Sequence, residues 1–482
     1  MENLDRIGPV LILLVTAGVV ILADLIDRRE RTPLLTAFAA AGLLLAAAYT
    51  GWLIARDREC TAFQDTVLLD QFTLFFYFFF IGVAGFVILA SADYATVLLR
   101  DRAGEFIALT LAIAAGAMLM ASANDLITLF VAIELTSISQ YTLAGFVRDR
   151  RSSEAGLKYL LLGATSTAIL LYGFALLYGL TGTTSISEIG VDAARATGDL
   201  RIGYLAAAVA LAAGFGFKMA IVPFQMWAPD VYEGAPTPVA AYLSVASKAA
   251  GFAVLLRVFY TALDGAAIIE DWTNLFAVLA AVSMTVGNVM ALRQRNIKRL
   301  LGYSTIAQAG TVLIGVAATL AAGKEFTLAA SGVLFYLAAY AFTNLGAFFA
   351  IVAITTRTGN DDIAGLAGMW RRAPLMALAL AFCLVSLTGL PPTAGFLAKL
   401  YVFNAAIEAD LLWLVIVGVL NTAISAYYYL RIVREMFAPS EEEAAEQPSA
   451  ERPVEAAHSV QALVSLAALG VLIFGIIPAP LL

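Results

Sequence analysis

The stretch FKMAIVPFQMWAP, residues 217–229, places Lys218, Pro223 and Pro229 inside otherwise apolar sequence. Proline has no backbone N–H and interrupts a helix, which leaves carbonyl groups without their helical donors. At membrane depth, such a break is tolerated only inside protein or beside a water-filled cavity. The stretch therefore predicts a broken transmembrane helix with a buried lysine beside the break.

A second proline break follows in LTGLPPTAGF, residues 387–396, and Lys399 comes shortly after it. The two breaks lie five apolar segments apart, and an odd offset gives two units opposite orientations in the membrane. Inverted repeats with broken helices are common in ion transporters. The pattern predicts two inverted five-helix repeats, formed by segments 4–8 and 9–13, in which helices 7 and 12 are broken.

The composition of the whole chain is that of a membrane protein. Of its 482 residues, 61% are hydrophobic and 13% are charged, and the mean hydropathy is +0.87. Soluble domains carry about 25% charged residues, so a soluble enzyme is excluded. A membrane-spanning helix needs about 20 apolar residues. Segments that meet or approach this length lie at residues 8–26, 33–55, 68–91, 106–122, 126–146, 157–182, 203–228, 236–261, 272–292, 301–321, 327–355, 374–396, 397–433 and 459–482.

Apolar sequence runs almost unbroken through the twelfth and thirteenth segments, and we place their division between Ala406 and Leu411. The predicted fold is an all-α polytopic membrane protein with about 14 transmembrane helices. Its predicted parts are helices 1–3 at 1–105, the first repeat at 106–261, the second repeat at 262–438, an acidic cytoplasmic loop at 439–458, and helix 14 at 459–482.

The charges outside the segments predict the orientation of the chain. Most of the Lys and Arg residues of the loops follow odd-numbered segments, and basic loops mark the cytoplasmic side. Both termini are therefore expected outside. The net charge of −7 leaves no basic surplus for binding nucleic acid.

The chain has few residues that could bind a redox centre or a metal. Its cysteines are Cys60 and Cys383, far apart in sequence, and its one histidine is His458. Iron–sulfur clusters, haem and common zinc sites need more Cys or His ligands than this. We expect this chain to bind no cofactor and no metal of its own.

Charged residues inside the apolar segments are the candidate functional residues. Four of the five basic ones are lysines, although the chain holds 23 Arg and only 6 Lys. A buried ammonium can release its proton, whereas a guanidinium keeps it. Each charge costs about 2.5–3.5 kcal/mol at the bilayer centre, a cost that suggests a function. The set consists of Lys158, Lys218, Lys248, Arg257 and Lys399, with Glu134 as the carboxylate.

Structural explanations compete with this interpretation. Glu134 could form a static ion pair, and a lysine near a break could serve only to bind freed carbonyls. Lys158 and Arg257 lie near segment ends, where a long side chain can reach the headgroups, and we favour this explanation for Arg257. Asp70 and Asp125 stand at helix starts and are expected to be N-caps.

Several motifs resemble one known family. They are residues 217–239 with Ser247-Lys248, Glu154-Ala-Gly-Leu-Lys158, residues 296–308 and residues 387–396. Together they resemble the antiporter-like, proton-translocating membrane subunits of NADH:quinone oxidoreductase (respiratory complex I), in particular the subunit N branch, called subunit 2 in mitochondria and chloroplasts.

The resemblance implies a fourteen-helix subunit in the membrane arm of a bacterial inner-membrane complex. Glu134 and Lys218 match the ion pair of the family, Lys248 its central lysine, Lys399 its terminal lysine and Lys158 a further lysine. It implies as partners the neighbouring antiporter-like subunit M and the small subunits K, J and A. Quinone, FMN and iron–sulfur clusters are then expected elsewhere in the complex, together with the NADH-linked redox steps.

One residue departs from the family pattern, because Gln225 stands where the family usually has His. Two other functions stay open. A subunit of a multisubunit cation/proton antiporter is the first, although related antiporter subunits look to carry Glu rather than Lys at position 399. The second is a passive scaffold that holds pumping subunits together.

Overall fold

Helices make up most of the chain. A computed structural model describes residues 2–26, 32–56, 60–94, 102–263, 269–322, 328–439, 453 and 456–478. In chain order, the α-helices of this part are α1 Glu2–Arg6, α2 Gly8–Ile26, α3 Thr32–Ala55, α4 Gln71–Tyr94, α5 Ala103–Ser122, α6 Leu126–Ala144, α7 Arg150–Thr181, α8 Ile186–Ala193, α9 Asp199–Met219, α10 Trp227–Gly234, α11 Thr237–Tyr242, α12 Lys248–Thr261, α13 Ile269–Ala291, α14 Ile297–Ala322, α15 Leu328–Thr358, α16 Met369–Arg372, α17 Pro374–Thr388, α18 Ala394–Glu408, α19 Leu412–Phe437 and α20 His458–Ile476.

The helices agree with the predicted membrane segments. Among the described residues, 13 helices are long and apolar enough to cross a membrane, and Pro374–Thr388 is a shorter apolar helix. Helices α11 and α12 form one span, Thr237–Thr261, joined by the π-helical turn Leu243–Ser247. The prediction of an all-α polytopic membrane fold is confirmed, and so is the division of segments 12 and 13, since α18 ends at Glu408 and α19 begins at Leu412.

Both predicted helix breaks are present. The seventh segment stops at Met219 and resumes as α10 at Trp227, and the twelfth stops at Thr388 and resumes as α18 at Ala394. Proline explains both stops, since it cannot donate to the carbonyl four residues earlier. The chain therefore ends a helix within apolar sequence at the places where the prolines predicted it.

The chain folds into two compact units. The first unit contains residues 1–219, 234–236 and 246–270, and in it α7 packs on α9, α5 on α6, and α2 on α3 and α5. The second contains residues 220–233, 237–245 and 271–482, where α15 packs against α14, α17, α18 and α20. The predicted division of the chain into five parts stays a prediction.

Some elements were not anticipated from hydropathy. A small antiparallel hairpin joins β1, Cys60–Ala62, to β2, Val67–Leu69, with Thr61 opposite Leu68. Helix α8 is a short helix outside the predicted spans. The predicted acidic loop lies outside the described residues except for 439, 453 and 456–458. The same is true of several basic loop residues that indicated orientation, namely Arg28, Arg29, Arg31, Arg58, Arg100, Lys324 and Arg452.

Candidate functional site

Lys218 lies in the last turn of α9 and is only 6% exposed. Its Nζ donates to Oγ of Ser137 at 2.8 Å and to Oε1 of Gln140 at 3.3 Å. Ser137 and Gln140 are three residues apart on α6, so their side chains lie on one face of that helix. Ser137 gives its own proton to the carbonyl of Ile133, which leaves its oxygen free to accept from the lysine.

Gln140 is the centre of this buried polar cluster. Its Oε1 also accepts from the hydroxyl of Tyr159 at 3.0 Å and from Oγ of Ser247 at 3.4 Å. One buried amide oxygen therefore accepts hydrogen bonds from the amino group of Lys218 and from the hydroxyl groups of Tyr159 and Ser247. Gln140 is not among the residues predicted from the sequence, because an uncharged amide in an apolar helix is a weak signal. Its three-residue spacing from Ser137 is the feature that could have found it.

Glu134 joins the cluster indirectly. Its carboxylate accepts from Oγ1 of Thr167 on α7 at 3.1 Å, and no direct ion pair within 4 Å connects it to Lys218. Thr167 and Lys218 both line one small cavity of about 20 Å³. A cavity with several polar groups in its lining can hold a water molecule, and water can bridge two polar groups that do not touch. The other polar residues of the lining are Ser137, Tyr141 and Ser166.

Lys248 is the first residue of α12, directly after the π-helical turn, and is 3% exposed. Its Nζ donates to the carbonyl oxygen of Met219 at 2.6 Å. In an unbroken helix this carbonyl would accept from the N–H of residue 223, but Pro223 has none. The lysine therefore takes the place of the missing backbone donor at the end of α9.

Lys399 on α18 has the same kind of partner in the second unit. Its Nζ donates to the carbonyl of Thr388 at 2.8 Å and to Oγ1 of Thr422 at 3.3 Å, and the residue is 7% exposed. The helical donor for Thr388 would be the N–H of residue 392, which is again a proline. Lys399 also lines a small cavity of about 10 Å³ with Gln308 and Tyr336.

Two predicted basic residues lie elsewhere. Lys158 pairs with Glu154 one turn away at 2.9 Å, and its side chain is 42% exposed. It does not line the cavity beside Lys218. The resemblance therefore remains the support for Lys158 as a site residue.

The snorkelling explanation for Arg257 is wrong. Its Nη1 and Nη2 bind both carboxylate oxygens of Asp70 at 2.6 and 2.9 Å, and the arginine side chain is 8% exposed. Nη2 also donates to Oγ1 of Thr73 and to the carbonyl of Ala121. A buried bidentate ion pair satisfies the guanidinium within the protein, so it has no need to reach the headgroups.

The N-cap predictions for Asp70 and Asp125 are confirmed. Oδ1 of Asp70 accepts from the backbone N–H of Thr73 at 2.8 Å. Oδ1 of Asp125 accepts from the N–H groups of Ile127 and Thr128, both at 2.9 Å. Gln225 stands where the family usually has His. Its Oε1 is buried and has no hydrogen-bond partner among the described residues.

Known proteins that are similar to this chain belong to the family that its sequence motifs resemble. The model of the family described as NADH:quinone oxidoreductase/Mrp antiporter, transmembrane, matches residues 123–425. NADH-quinone oxidoreductase subunit N of Dehalococcoides mccartyi is 43% identical over 489 residues, which covers 99% of this chain and 98% of that protein.

Solved structures agree as well. A chain of respiratory complex I from Thermus thermophilus superposes with a TM-score of 0.79 at 32% identity, and the match covers 98% of this chain and 97% of that one. A chain of the Mrp complex from Dietzia has a TM-score of 0.83 at 21% identity, covering 100% and 96%, and this likeness concerns the fold alone.

Proposed function

The chain belongs to the NADH:quinone oxidoreductase/Mrp antiporter family and, within it, to the family of subunit N, and on this premise we propose that it translocates protons through buried lysines and Glu134. The residues that carry this function are Glu134, Lys218, Lys248 and Lys399. Quinone reduction in other subunits of an NADH:quinone oxidoreductase drives the transfer.

The buried contact of Lys218 with Ser137 and Gln140 carries this proposal, because Lys218 also lines a cavity with Thr167, which donates to the carboxylate of Glu134. Proton transfer needs protonatable groups connected by hydroxyls or water at hydrogen-bond distance. Lysine, serine and threonine side chains line this cavity, and Glu134 accepts a hydrogen bond from one of them, Thr167. Water in this cavity can carry a proton between Lys218 and Thr167, whose hydroxyl is bonded to Glu134.

The partners of Lys248 and Lys399 suit side chains that change charge. Each donates to a backbone carbonyl, which can only accept a hydrogen bond. A protonated lysine has three N–H donors and a neutral one has two, so this hydrogen bond survives loss of the proton. Either lysine can then be held in place in both protonation states.

The surroundings of the chain belong to the same proposal. The partners are the neighbouring subunit M and the small subunits K, J and A, in a bacterial inner membrane, with both termini outside. FMN, iron–sulfur clusters and quinone are bound by other subunits. Lys158 remains a proposed site residue on the resemblance, and its half-exposed position suits the end of a path rather than the buried cluster.

A subunit of a cation/proton antiporter is the alternative. It predicts Na⁺ exchange without NADH-linked activity. The relative at 43% identity is a subunit N, and position 399 holds Lys, which favours the NADH-linked function.

The test is NADH-driven acidification of inside-out membrane vesicles that contain the whole complex. Lys218→Ala and Glu134→Ala should each abolish most of it, while the content of assembled complex, measured by NADH oxidation with ferricyanide, stays normal. Lys324→Ala, in a loop by sequence, and Glu408→Ala, at an exposed position, are matched controls. Normal acidification in both site variants would overturn the proposal, and loss only through failed assembly would favour a scaffold.

A further inference from the structure

Gln308 on α14 is 5% exposed and lies at the break between α17 and α18. Its Nε2 donates to the carbonyl oxygen of Leu387 at 2.9 Å. The helical donor for this carbonyl would be the N–H of residue 391, which is proline. Two successive freed carbonyls therefore have two side-chain donors, Gln308 at Leu387 and Lys399 at Thr388.

The chemistry of these partners fixes the orientation of the Gln308 amide. A backbone carbonyl can only accept, so the nitrogen of the amide must face Leu387 and its oxygen must face the other way. That oxygen accepts from the hydroxyl of Tyr336 on α15. The only proton of the Tyr336 hydroxyl is then committed to Gln308, and the phenol oxygen can act only as an acceptor toward its other neighbours.

Gln308, Tyr336 and Lys399 line the same small cavity of about 10 Å³, close to the space that one water needs. An acceptor-only phenol oxygen in this cavity can take a hydrogen bond from the ammonium of Lys399 through water. The lysine is anchored on the other side by the carbonyl of Thr388. The cavity thus contains a titratable donor, Lys399, and an acceptor of fixed orientation, the Tyr336 hydroxyl oxygen. Gln308 orients that hydroxyl, and it also binds the carbonyl of Leu387, next to the carbonyl of Thr388 that holds Lys399.

We propose that Gln308 is a positioning residue for proton transfer at Lys399, acting through the Tyr336 hydroxyl and the carbonyl of Leu387. The inference rests on the proposed function. A helix cap alone would need only the bond to Leu387. The bond to Tyr336 adds an oriented hydroxyl in the cavity of the lysine.

The first unit contains the same pairing, which supports a role beyond capping. There Oε1 of Gln140 accepts from the hydroxyl of Tyr159 and from Nζ of Lys218. In each unit a buried glutamine therefore accepts from a buried tyrosine close to a buried lysine. Local helix capping does not require this combination to occur twice.

The test uses the purified complex in proteoliposomes and compares NADH-driven acidification over a range of pH. Gln308→Met removes the hydrogen bonds of the amide with Leu387, Tyr336 and Tyr429 at similar volume, and Tyr336→Phe removes only the hydroxyl of that tyrosine. Each should lower acidification by about fivefold to tenfold, the size expected for loss of one hydrogen-bonding partner in a transfer step. The double variant should be no worse than Gln308→Met alone, because that variant already removes the bond between the amide and the Tyr336 hydroxyl. Gln294→Met is the matched control, since Gln294 follows the end of α13 and its amide makes a solvent-exposed hydrogen bond to the carbonyl of Met290.

The pH dependence of acidification by Gln308→Glu distinguishes a role in proton transfer from a purely structural role. A protonated carboxyl can donate to Leu387 and accept from Tyr336, but a carboxylate cannot donate. Acidification by this variant should therefore fall relative to the native complex as pH rises. A profile parallel to the native one would overturn the inference, and it decides the matter even where Gln308→Met fails to assemble.

Lys399→Met in the same assay separates the two hypotheses. If it abolishes acidification while Gln308→Met and Tyr336→Phe pump at the native rate, the inference about Gln308 is wrong and the proposed function stands. If Lys399→Met itself pumps normally, the role of Lys399 in the proposed function fails.

Discussion

Lys248 donates from Nζ to the carbonyl oxygen of Met219 at 2.6 Å, at the carbonyl that Pro223 leaves without a helical donor. Lys399 and the carbonyl of Thr388, freed by Pro392, form the same relationship at 2.8 Å. In both places a proline creates a fixed acceptor in apolar surroundings, and a buried lysine occupies it. The helix breaks and the buried lysines are therefore parts of one arrangement, in which the break positions the lysine.

This relationship predicts that charge alone cannot replace Lys248. Lys248→Arg keeps the positive charge and a donor for Met219, but a guanidinium does not release its proton. We expect NADH-driven acidification to fall by about tenfold or more in Lys248→Arg, as in Lys248→Met, which is about 1.4 kcal/mol or more in the barrier. The measurement is acidification of inside-out vesicles, normalised to assembled complex. Native pumping by the arginine variant would show that Lys248 need not change protonation.

The helices and their breaks could be predicted from the sequence because each rests on local information. Apolar length marked the spans, and the prolines at 223, 391 and 392 marked the breaks. The lysines were found because a cation in apolar sequence is costly and stands out. All of these signals lie within one turn or one segment of the residue concerned.

The partners of the site residues could not be predicted because they come from distant sequence. Arg257 is 187 residues from Asp70 in the sequence, so their ion pair could not be inferred from sequence spacing. The membrane surface was therefore the expected environment for the arginine. Gln140 and Gln308 were missed for another reason. The role of an amide side chain depends on its hydrogen-bond partners, and these partners come together only when the helices pack.

The ion pair of Arg257 and Asp70 should stabilise the first unit. Asp70→Ala removes the helix cap and leaves a buried guanidinium without its carboxylate, a loss of about 3–5 kcal/mol for a buried pair. Asp70→Asn keeps an N-cap acceptor and should be less destabilising. Thermal unfolding of the detergent-solubilised complex should rank native above Asp70→Asn and Asp70→Ala lowest. Equal stability of the two variants would argue that the cap contributes nothing.

The same pair gives a pH prediction. Burial acts to raise the pKa of Asp70, but the hydrogen bonds and charge of Arg257, with the N–H of Thr73, outweigh it and hold the pKa below its ordinary value of 3.8. A lowered carboxyl pKa means that the stabilisation is complete above the ordinary value and is lost as pH falls through the lower, folded value. The melting temperature of the native complex should therefore contain an acid-dependent component that Asp70→Asn lacks. A component of equal size in both proteins would contradict this assignment.

The glycine at the second break predicts a steric effect on Lys399. Gly389 has φ +88°, and a Cβ at this position would lie 2.8 Å from Cδ of Lys399. Gly389→Ala would strain the backbone and press on the lysine, at a cost of about 1–3 kcal/mol. We expect reduced acidification and lower thermal stability. Gly179→Ala is the control, since nothing lies within 4 Å of its added Cβ, and an equal effect of the two substitutions would refute the steric explanation.

Two threonines of α7 offer a matched test of the link between Glu134 and the cavity. Thr167 donates to the carboxylate of Glu134 and lines the cavity, whereas Thr165, two residues earlier, is exposed and donates to the carbonyl of Leu161. Thr167→Val removes the hydroxyl with little change in shape, so Glu134 loses its bonded partner at the cavity wall. Acidification should fall by about threefold to tenfold, the range for one lost hydrogen bond.

Thr165→Val makes the same chemical change on the same helix and should pump at the native rate. A further comparison uses Glu134→Gln, alone and combined with Thr167→Val. If the threonine acts through Glu134, it should add little to the loss that Glu134→Gln already causes. Equal pumping by the two threonine variants, or fully additive losses in the double variant, would mean that protons do not pass between Glu134 and the cavity by way of the Thr167 hydroxyl.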